Sequence, residues 1–226
     1  MCRLLSGKFP YPIQINSILE QFAEDCRSSK EFQGHGWGIT YLTNGQWITR
    51  KSIQPIWESL PEEPIYTSSF LVHARSAFRD AGIVIENNMP FENDRFVFAF
   101  NGELRKVRLN LPGSTGAKKI FNFFLRKQEP SILLRWSKVA AILKRRSEYI
   151  RAMNVILIDK ETNLHYAYSH YNEDPEYFRL HRMASGGFEL ISSFPIDRRL
   201  FINLRGEERP RIVYNAVLAN QGIEVI

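Results

Sequence analysis

The chain begins Met1-Cys2-Arg3-Leu4-Leu5-Ser6-Gly7-Lys8, and the interpretation of the whole fold starts from its second residue. The small side chain of Cys2 suits removal of Met1 in the cell. The mature chain would then begin with a thiol and a free α-amine on one residue, with an amine pKa near ~7.7. Because that amine can accept the thiol proton, Cys2 would supply both a nucleophile and its base. If Met1 is retained, the Cys2 nitrogen is an amide and cannot act as a base, and a cysteine at position 2 is most often incidental.

The composition of the 226 residues is that of an ordinary globular protein, with 44% hydrophobic and 24% charged residues. It excludes a disordered tail protein, a collagen-like rod and a disulfide scaffold. The length favours one domain over residues 1–226. No apolar run approaches the ~18 residues of a transmembrane helix, and the N-terminal apolar stretch is too short for a secretory signal. Two cysteines cannot form a disulfide framework, so we expect a reducing, cytoplasmic location.

The charge balance is basic, with 30 Lys and Arg against 24 Asp and Glu, a formal net charge of +6. Such a surplus is compatible with an anionic partner such as nucleic acid. The basic residues nevertheless lie in short clusters, with no accompanying nucleic-acid motif. We therefore interpret them as solvated surface.

Hydrophobic periodicity predicts three helices, over residues 13–27, 116–127 and 131–149. Ser114 or Thr115 is expected to cap the second helix and Ser131 the third. Alternating apolar runs predict strands at 36–42, 46–53, 69–75, 95–100, 153–158, 164–169, 188–193 and 211–214. Strands, two central helices and further strands predict an α+β domain in which helices cover sheets.

Further segments follow Cys2 in an informative order. They are Gly34-His35-Gly36-Trp37-Gly38-Ile39, the strand that ends at Arg75, Asn88-Met89-Pro90-Phe91, Asn101-Gly102-Glu103-Leu104 and Ile191-Ser192-Ser193-Phe194-Pro195. In this order the chain resembles a stand-alone class II glutamine amidotransferase, whose amidase domain is an N-terminal-nucleophile (Ntn) hydrolase. The resemblance covers roughly residues 2–200 and implies a four-layer α/β/β/α sandwich.

The resemblance also implies roles for particular residues. Cys2 would be the nucleophile, Asn101 and Gly102 would hold the oxyanion, and Arg75 would bind the α-carboxylate of a glutamine-like substrate. The other residues expected to contact the substrate are Trp37, Gly38 and Glu103.

The chemistry of the residues agrees with these roles. Amide cleavage produces an oxyanion that needs preorganised donors, which the Asn101 side chain and the Gly102 backbone N–H can supply. An arginine can bind a carboxylate with two parallel hydrogen bonds. The alternatives are that Asn101-Gly102 is a plain hairpin turn and Arg75 a surface arginine at the end of a strand.

The histidines do not suggest a metal centre. His73 is expected to pack in or beside the sheet, since Cys2 would bring its own base. His35, His165, His170 and His181 lack the spacing of metal ligands. We therefore expect neither a metal nor a cofactor.

One segment departs from the family pattern. The family usually carries Gly-x-Thr-Asp-Ser-Glu before a helix, and the Asp receives the substrate α-ammonium. This chain reads Gly113-Ser114-Thr115-Gly116-Ala117-Lys118. An ammonium without its partner would lose about 1–3 kcal/mol, or ten- to hundredfold in affinity. Three outcomes are open: another acid (Glu86, Glu103 or Asp80) binds the ammonium, the substrate lacks a free α-amine, or catalysis is lost.

The sequence therefore predicts an amide hydrolase that cleaves glutamine or a γ-glutamyl-type amide through a thioester on Cys2. A separate partner enzyme would accept any ammonia it supplies, and self-association into a homo-oligomer remains open. The alternative is a non-catalytic regulatory or binding protein on the same fold, because the usual acid is replaced by Gly116.

Overall fold

The computed structural model describes residues 1–77, 82–197 and 214–226, which form two antiparallel sheets and five α-helices. The strands are β1 (Arg3–Gln14), β2 (Trp37–Thr43), β3 (Gln46–Ser52), β4 (Tyr66–Ala74), β5 (Phe91–Glu92), β6 (Phe96–Arg105), β7 (Tyr149–Asp159), β8 (Leu164–Tyr168), β9 (His181–Ser185), β10 (Phe188–Ser192), β11 (Tyr214–Val217) and β12 (Ile223–Val225). The first sheet has seven strands in the order β11-β9-β10-β1-β4-β2-β3, and the second has five in the order β12-β8-β7-β6-β5.

The helices are α1 (Asn16–Arg27), α2 (Ile56–Ser59), α3 (Gly116–Arg126), α4 (Ile132–Arg146) and α5 (Pro175–Phe178). The predicted caps are present: the Thr115 side chain accepts a hydrogen bond from the Lys118 N–H at 3.1 Å, and Ser131 accepts one from Leu134 at 3.2 Å. The first predicted helix begins three residues late, because Ile13 and Gln14 belong to β1 and pair with β4.

The two sheets stack between two helical layers, which confirms the α+β, four-layer α/β/β/α sandwich. Helix α1 buries Ile18, Leu19 and Phe22 against the outer face of the seven-stranded sheet. Helices α3 and α4 cover the other sheet, where Phe121 stacks on Phe98 with ring centroids 5.1 Å apart. The long apolar runs of β6 and β7 are buried, from Phe96 to Asn101 and from Ala152 to Asp159, because these strands are covered on both faces.

Several predicted boundaries differ from the structure, and β7 begins at Tyr149, the residue at which the third helix was predicted to end. The strand predicted to end at residue 100 continues through Asn101 and Gly102 to Arg105, because β7 pairs with all of it. Asn101-Gly102 is therefore not a hairpin turn. Strand β1 was not predicted at all. The strand predicted at 211–214 begins outside the described residues, and β11 starts at its last residue.

A histidine joins the sheets through polar contacts. Ser6 on β1 and Ser69 on β4 lie 2.7 and 2.8 Å from the two ring nitrogens of His165 on β8. Burial lowers the pKa of His165 to about 3, so its ring is neutral and serves as a hydrogen-bonded bridge. None of the helices among the described residues combines the length and the apolar character needed to cross a membrane.

Candidate active site

Cys2 immediately precedes β1, which lies between β10 and β4 in the first sheet. The Ser76 N–H points at the Cys2 sulfur from 3.5 Å. Burial raises the pKa of the Cys2 thiol, and this effect is opposed by the Met1 ammonium, by the Ser76 N–H and by Arg75. The thiol therefore needs a nearby base to become a nucleophile at neutral pH.

Polar and apolar contacts hold Met1 beside Cys2. Its ammonium lies 2.5 Å from a Glu31 carboxylate oxygen. Its carbonyl oxygen accepts hydrogen bonds from the Gln33 amide and, at 2.7 Å, from the Tyr177 hydroxyl. The Met1 side chain is buried in a small cluster with Ala152, Tyr177 and Phe178. In this form the Cys2 nitrogen is an amide nitrogen.

Arg75 follows the last residue of β4 and is buried, with 8% of its surface exposed. Its backbone is fixed by the Gly36 carbonyl oxygen at 2.8 Å, and its guanidinium donates to the Asn88 side-chain oxygen at 3.2 Å. Burial lowers the pKa of Arg75. No carboxylate of the described residues forms an ion pair with it, so this cation is suited to bind an anionic group.

Asn101 lies in the middle of β6 and is fully buried. Neither its amide nitrogen nor its amide oxygen has a hydrogen-bond partner among the residues that the structure describes. Leaving a buried polar group unpaired costs about 1–3 kcal/mol, so such groups usually have a function. The Asn101 amide therefore has unused hydrogen-bonding capacity among the described residues.

The strand geometry sets the direction of the Gly102 backbone N–H. Gly102 lies opposite Met153, whose own N–H donates to the His170 carbonyl oxygen at 2.7 Å, on the side away from β6. Opposite residues in an antiparallel pair turn their backbone groups either both inward or both outward, so the Gly102 N–H points away from β7. The Phe100 N–H, two residues earlier, points the same way and contacts the Met89 sulfur at 3.3 Å. Strand β5 is too short to reach Gly102.

Gly102 is required by a close approach of two backbones. A Cβ atom at this position would collide with the carbonyl group of Ala152 on β7. Gly102 does not have a positive φ, so conformational freedom is not the reason for glycine at this position.

A cavity of about 570 Å³ brings four of the predicted residues together, namely Cys2, Arg75, Gly102 and Glu103. Asn101, the other predicted oxyanion donor, is not among the described lining residues, and it lies between Phe100 and Gly102, which are. The sulfur, the buried cation and the edge of β6 thus face one space that can hold a ligand.

Trp37 and Gly38 are not among the described residues that line this cavity. The Trp37 ring is buried in the core between the first sheet and α1, and its N–H donates to Ser59 at 2.8 Å. Gly38 packs against the Met89 backbone, where a side chain would collide with the Met89 carbonyl oxygen. Their positions suit a role in building the site.

The end of the cavity where the family pattern carries an acid has no free carboxylate among the described residues. Gly116, the first residue of α3, lines the cavity there. Glu103 also lines it, but its carboxylate pairs with Arg105 at 2.7 Å. Glu86 is exposed and outside the lining, and Asp80 lies outside the described residues. No group of three or more His, Cys, Asp or Glu in the described part could hold a metal ion.

The sequence did not predict the contacts of two asparagines at the site. Asn88 orients Arg75 with its oxygen while its nitrogen donates to the Ser52 carbonyl oxygen at 2.7 Å. Asn87 links the cavity wall to the start of α3 through a 2.6 Å hydrogen bond from Ser114. Asn88 stands in a quoted motif, but only the fold shows what it contacts.

Comparison with known proteins gives a clear result for the fold. No protein-family model and no curated protein matches the chain. Among solved structures, glutamine phosphoribosylpyrophosphate amidotransferase from B. subtilis matches 100% of this chain with a TM-score of 0.64 at 13% identity. This chain spans 49% of that protein.

Two shorter proteins match over nearly their whole length. A predicted glutamine amidotransferase from Pseudomonas aeruginosa is 14% identical, with 99% of this chain and 96% of that one covered and a TM-score of 0.58. A glutamine aminotransferase class-II domain protein from Silicibacter pomeroyi is 13% identical, with 100% and 94% covered and a TM-score of 0.59. The chain therefore has the fold of class II glutamine amidotransferase domains, and the resemblance is confirmed for the fold.

Proposed function

We propose that residues 1–226 form a single class II amidotransferase-like domain that hydrolyses a carboxamide with Cys2 as its N-terminal nucleophile. The observation that carries the proposal is that the Cys2 sulfur, the buried Arg75 and the backbone of Gly102 line one cavity. Each of these groups answers a separate need of the reaction: a nucleophile, an anchor for the substrate and a donor for developing negative charge.

Activation begins with the loss of Met1. Hydrolysis of the Met1–Cys2 peptide bond frees the Cys2 α-amine, whose ordinary pKa of about 7.7 lets it accept the thiol proton. Gln33 and Tyr177, which now bind the Met1 carbonyl oxygen, are left beside the freed amine. They are positioning residues that can hold the amine or a water molecule next to the sulfur.

The reaction then proceeds in two balanced steps. The Cys2 sulfur bonds to the amide carbon while its proton passes through the α-amine to the leaving nitrogen, and the carbon–nitrogen bond breaks to release ammonia. Water next attacks the thioester carbon, the carbon–sulfur bond breaks and the thiol regains a proton. Asn101 and the Gly102 N–H donate hydrogen bonds to the oxyanion in both steps.

The proposed substrate is glutamine or a γ-glutamyl-type amide, held through its carboxylate by Arg75. A separate enzyme would use the ammonia where the reaction is coupled to a synthesis. A free thiol nucleophile requires reducing conditions, so we place the reaction in the cytoplasm.

The test compares ammonia release from glutamine and a set of γ-glutamyl amides by wild-type protein and by Cys2→Ala. Alanine at position 2 also permits removal of Met1, so the two proteins differ only in the thiol. We expect release by wild type, none above background by Cys2→Ala, and covalent labelling of wild type by an electrophilic glutamine analogue. Background rates for every substrate with no labelling would reject the proposal.

The second candidate is a non-catalytic binding protein, and it is favoured by the fitted position of Met1. An ion pair, two hydrogen bonds and a buried side chain all stabilise the unprocessed terminus. The intact mass of protein from its native source separates the two candidates. A retained Met1 supports the binding protein, and a mass that begins at Cys2 supports the hydrolase.

A further inference from the structure

The wall of the cavity beyond Arg75 is aliphatic. Six branched side chains line it, from the end of β6, the segment after it, α3 and α4: Leu104, Val107, Leu109, Leu111, Ile120 and Leu143. A volume of about 570 Å³ is that of a site for a drug-sized ligand, which is larger than one free amino acid. Part of the ligand of this cavity is therefore apolar.

The apolar wall starts where an ammonium-binding acid is expected. Gly116 and Ile120 are four residues apart on α3, so they lie on the same face of the helix, and both line the cavity. Apart from the chain neighbours of Gly116 and the backbone of its own helix, no atom lies within 4 Å of the place where a Gly116 Cβ would stand, so the space beside this residue is open. A group at this position of the ligand meets an open space and then aliphatic side chains.

The charges of the described lining residues also disfavour a ligand with a free ammonium group. Arg75 is buried without a carboxylate partner, Lys119 adds a second cation, and the single carboxylate, Glu103, is paired with Arg105. A free ammonium would meet positive surroundings, whereas a carboxylate would find its counter-ion.

We propose that the preferred substrate is an N-acylated glutamine. Its carboxamide would face Cys2, its carboxylate would bind Arg75, and its aliphatic acyl chain, in place of a free ammonium, would fill the space along Ile120 and Leu111. This inference rests on the proposed function. The overall reaction is hydrolysis of the carboxamide by water to N-acylglutamate and ammonia.

The first test is an acyl-chain series. Protein that begins at Cys2 is assayed for ammonia release from glutamine and from N-acetyl-, N-butanoyl- and N-hexanoyl-glutamine. We expect glutamine to be the poorest substrate and kcat/KM to rise about fourfold for each methylene that becomes buried. Free glutamine that reacts as well as N-hexanoyl-glutamine would overturn the inference.

A binding measurement separates this inference from the proposed function. Calorimetry on Cys2→Ala should show tighter binding of N-hexanoyl-glutamine than of glutamine, whether or not Cys2 is a nucleophile. If wild type releases no ammonia while this preference holds, the proposed function fails and the ligand class stands. If wild type cleaves glutamine and no acyl preference appears in either measurement, the ligand class fails alone.

Two pairs of variants locate the preference. Gly116→Asp restores the acid and should shift the ratio of kcat/KM values toward free glutamine by about ten- to hundredfold, while Gly116→Asn should not. Leu111→Asp should abolish the chain-length dependence, and Leu134→Asp, on the exposed side of α4, should keep it. A chain-length dependence that survives Leu111→Asp and a ratio unmoved by Gly116→Asp would overturn the assignment to this wall.

Discussion

Asn101 and Asn154 lie opposite each other on β6 and β7 and are both fully buried, yet only the Asn154 side chain has hydrogen-bond partners among the described residues. Asn154 donates to the Phe178 carbonyl oxygen and accepts from the His170 N–H at 3.2 Å. Asn101 has no partner among the described residues. Side chains opposite each other in a sheet share a face, so burial alone does not account for the difference.

Two histidines repeat the contrast. His165 is held by two serine hydroxyls, whereas neither ring nitrogen of the fully buried His73, two residues before Arg75, has a partner in the described part of the chain. His73 lies two residues before Arg75, and Asn101 lies next to Gly102, so these two partnerless side chains are close in the chain to predicted site residues. Leaving them unpaired costs stability, and under the proposed function a ligand would offset that cost at Asn101.

The asparagine pair offers the largest test of this contrast. We expect Asn101→Ala to lower kcat by about 10²- to 10³-fold, because an oxyanion donor is removed, with little change in the free energy of unfolding. Asn154→Ala should instead lower the free energy of unfolding by about 1–3 kcal/mol, because two backbone groups lose their partner. Kinetics and urea denaturation of both variants are needed, and equal losses of stability would contradict the contrast.

Arg75 gives the next effect. Arg75→Gln should reduce kcat/KM by about ten- to hundredfold for a substrate with a free carboxylate, mainly through KM. The matched control is the methyl ester of the same substrate, for which wild type and variant should be nearly equal. A loss that is the same for acid and ester would show that Arg75 does not bind the carboxylate.

The histidine pair predicts a pH dependence of stability. The pKa values of His73 and His165 are lowered to about 3 by burial, against an ordinary 6.5. Below pH 6.5 the unfolded chain binds protons that the folded chain does not, so each histidine removes about 1.4 kcal/mol of stability per pH unit between pH 6.5 and about 3. The stability that each neutral ring contributes is thus fully present above pH 6.5.

Substitution should separate the two histidines. Either His73→Leu or His165→Leu should reduce the slope of unfolding free energy between pH 6 and 5 by about 1.4 kcal/mol per unit. Only His165→Leu should also destabilise the protein at pH 7.5, because it leaves the buried Ser69 hydroxyl unpaired and removes one of the two partners of the Ser6 hydroxyl. Urea denaturation at three pH values measures both, and an unchanged slope in both variants would refute the neutral state of the rings.

Tyr177 gives the smallest effect. In protein that begins at Cys2, Tyr177→Phe should lower kcat by about two- to tenfold, the value of one hydrogen bond, and shift the acid limb of the pH–rate profile. Tyr171→Phe is the control, since its ring packs against the same cluster. If the two variants behave alike, Tyr177 has only a packing role.

The sequence predicts the parts of this fold that depend on local pattern. The caps and apolar faces of α3 and α4 follow from a period of 3.6 and from one serine and one threonine. Strand β1 escapes prediction because Gly7, Pro10 and Pro12 interrupt its alternation, and pairing with β4 and β10 overrides them. Asn101-Gly102 favours a turn locally, and ten residues of pairing with β7 keep it extended.

The site shows the same division. Cys2, Arg75, Asn101 and Gly102 could be proposed from the order of motifs, and their roles remain predictions. The neighbours of Met1 could not, because Gln33 and Tyr177 are 144 residues apart and are brought together only by tertiary packing. The aliphatic wall was equally hidden, since Leu109, Ile120 and Leu143 belong to three different segments.

The burial of Met1 makes the order of two events important, namely removal of Met1 and folding of the chain. With 3% of its surface exposed, this residue is reached by an aminopeptidase only when the terminus unfolds locally. The hydrolase proposal therefore favours removal of Met1 during synthesis, before the first sheet closes. Under that proposal, a molecule that loses Met1 before it folds becomes active, and a molecule that folds with Met1 attached stays inactive.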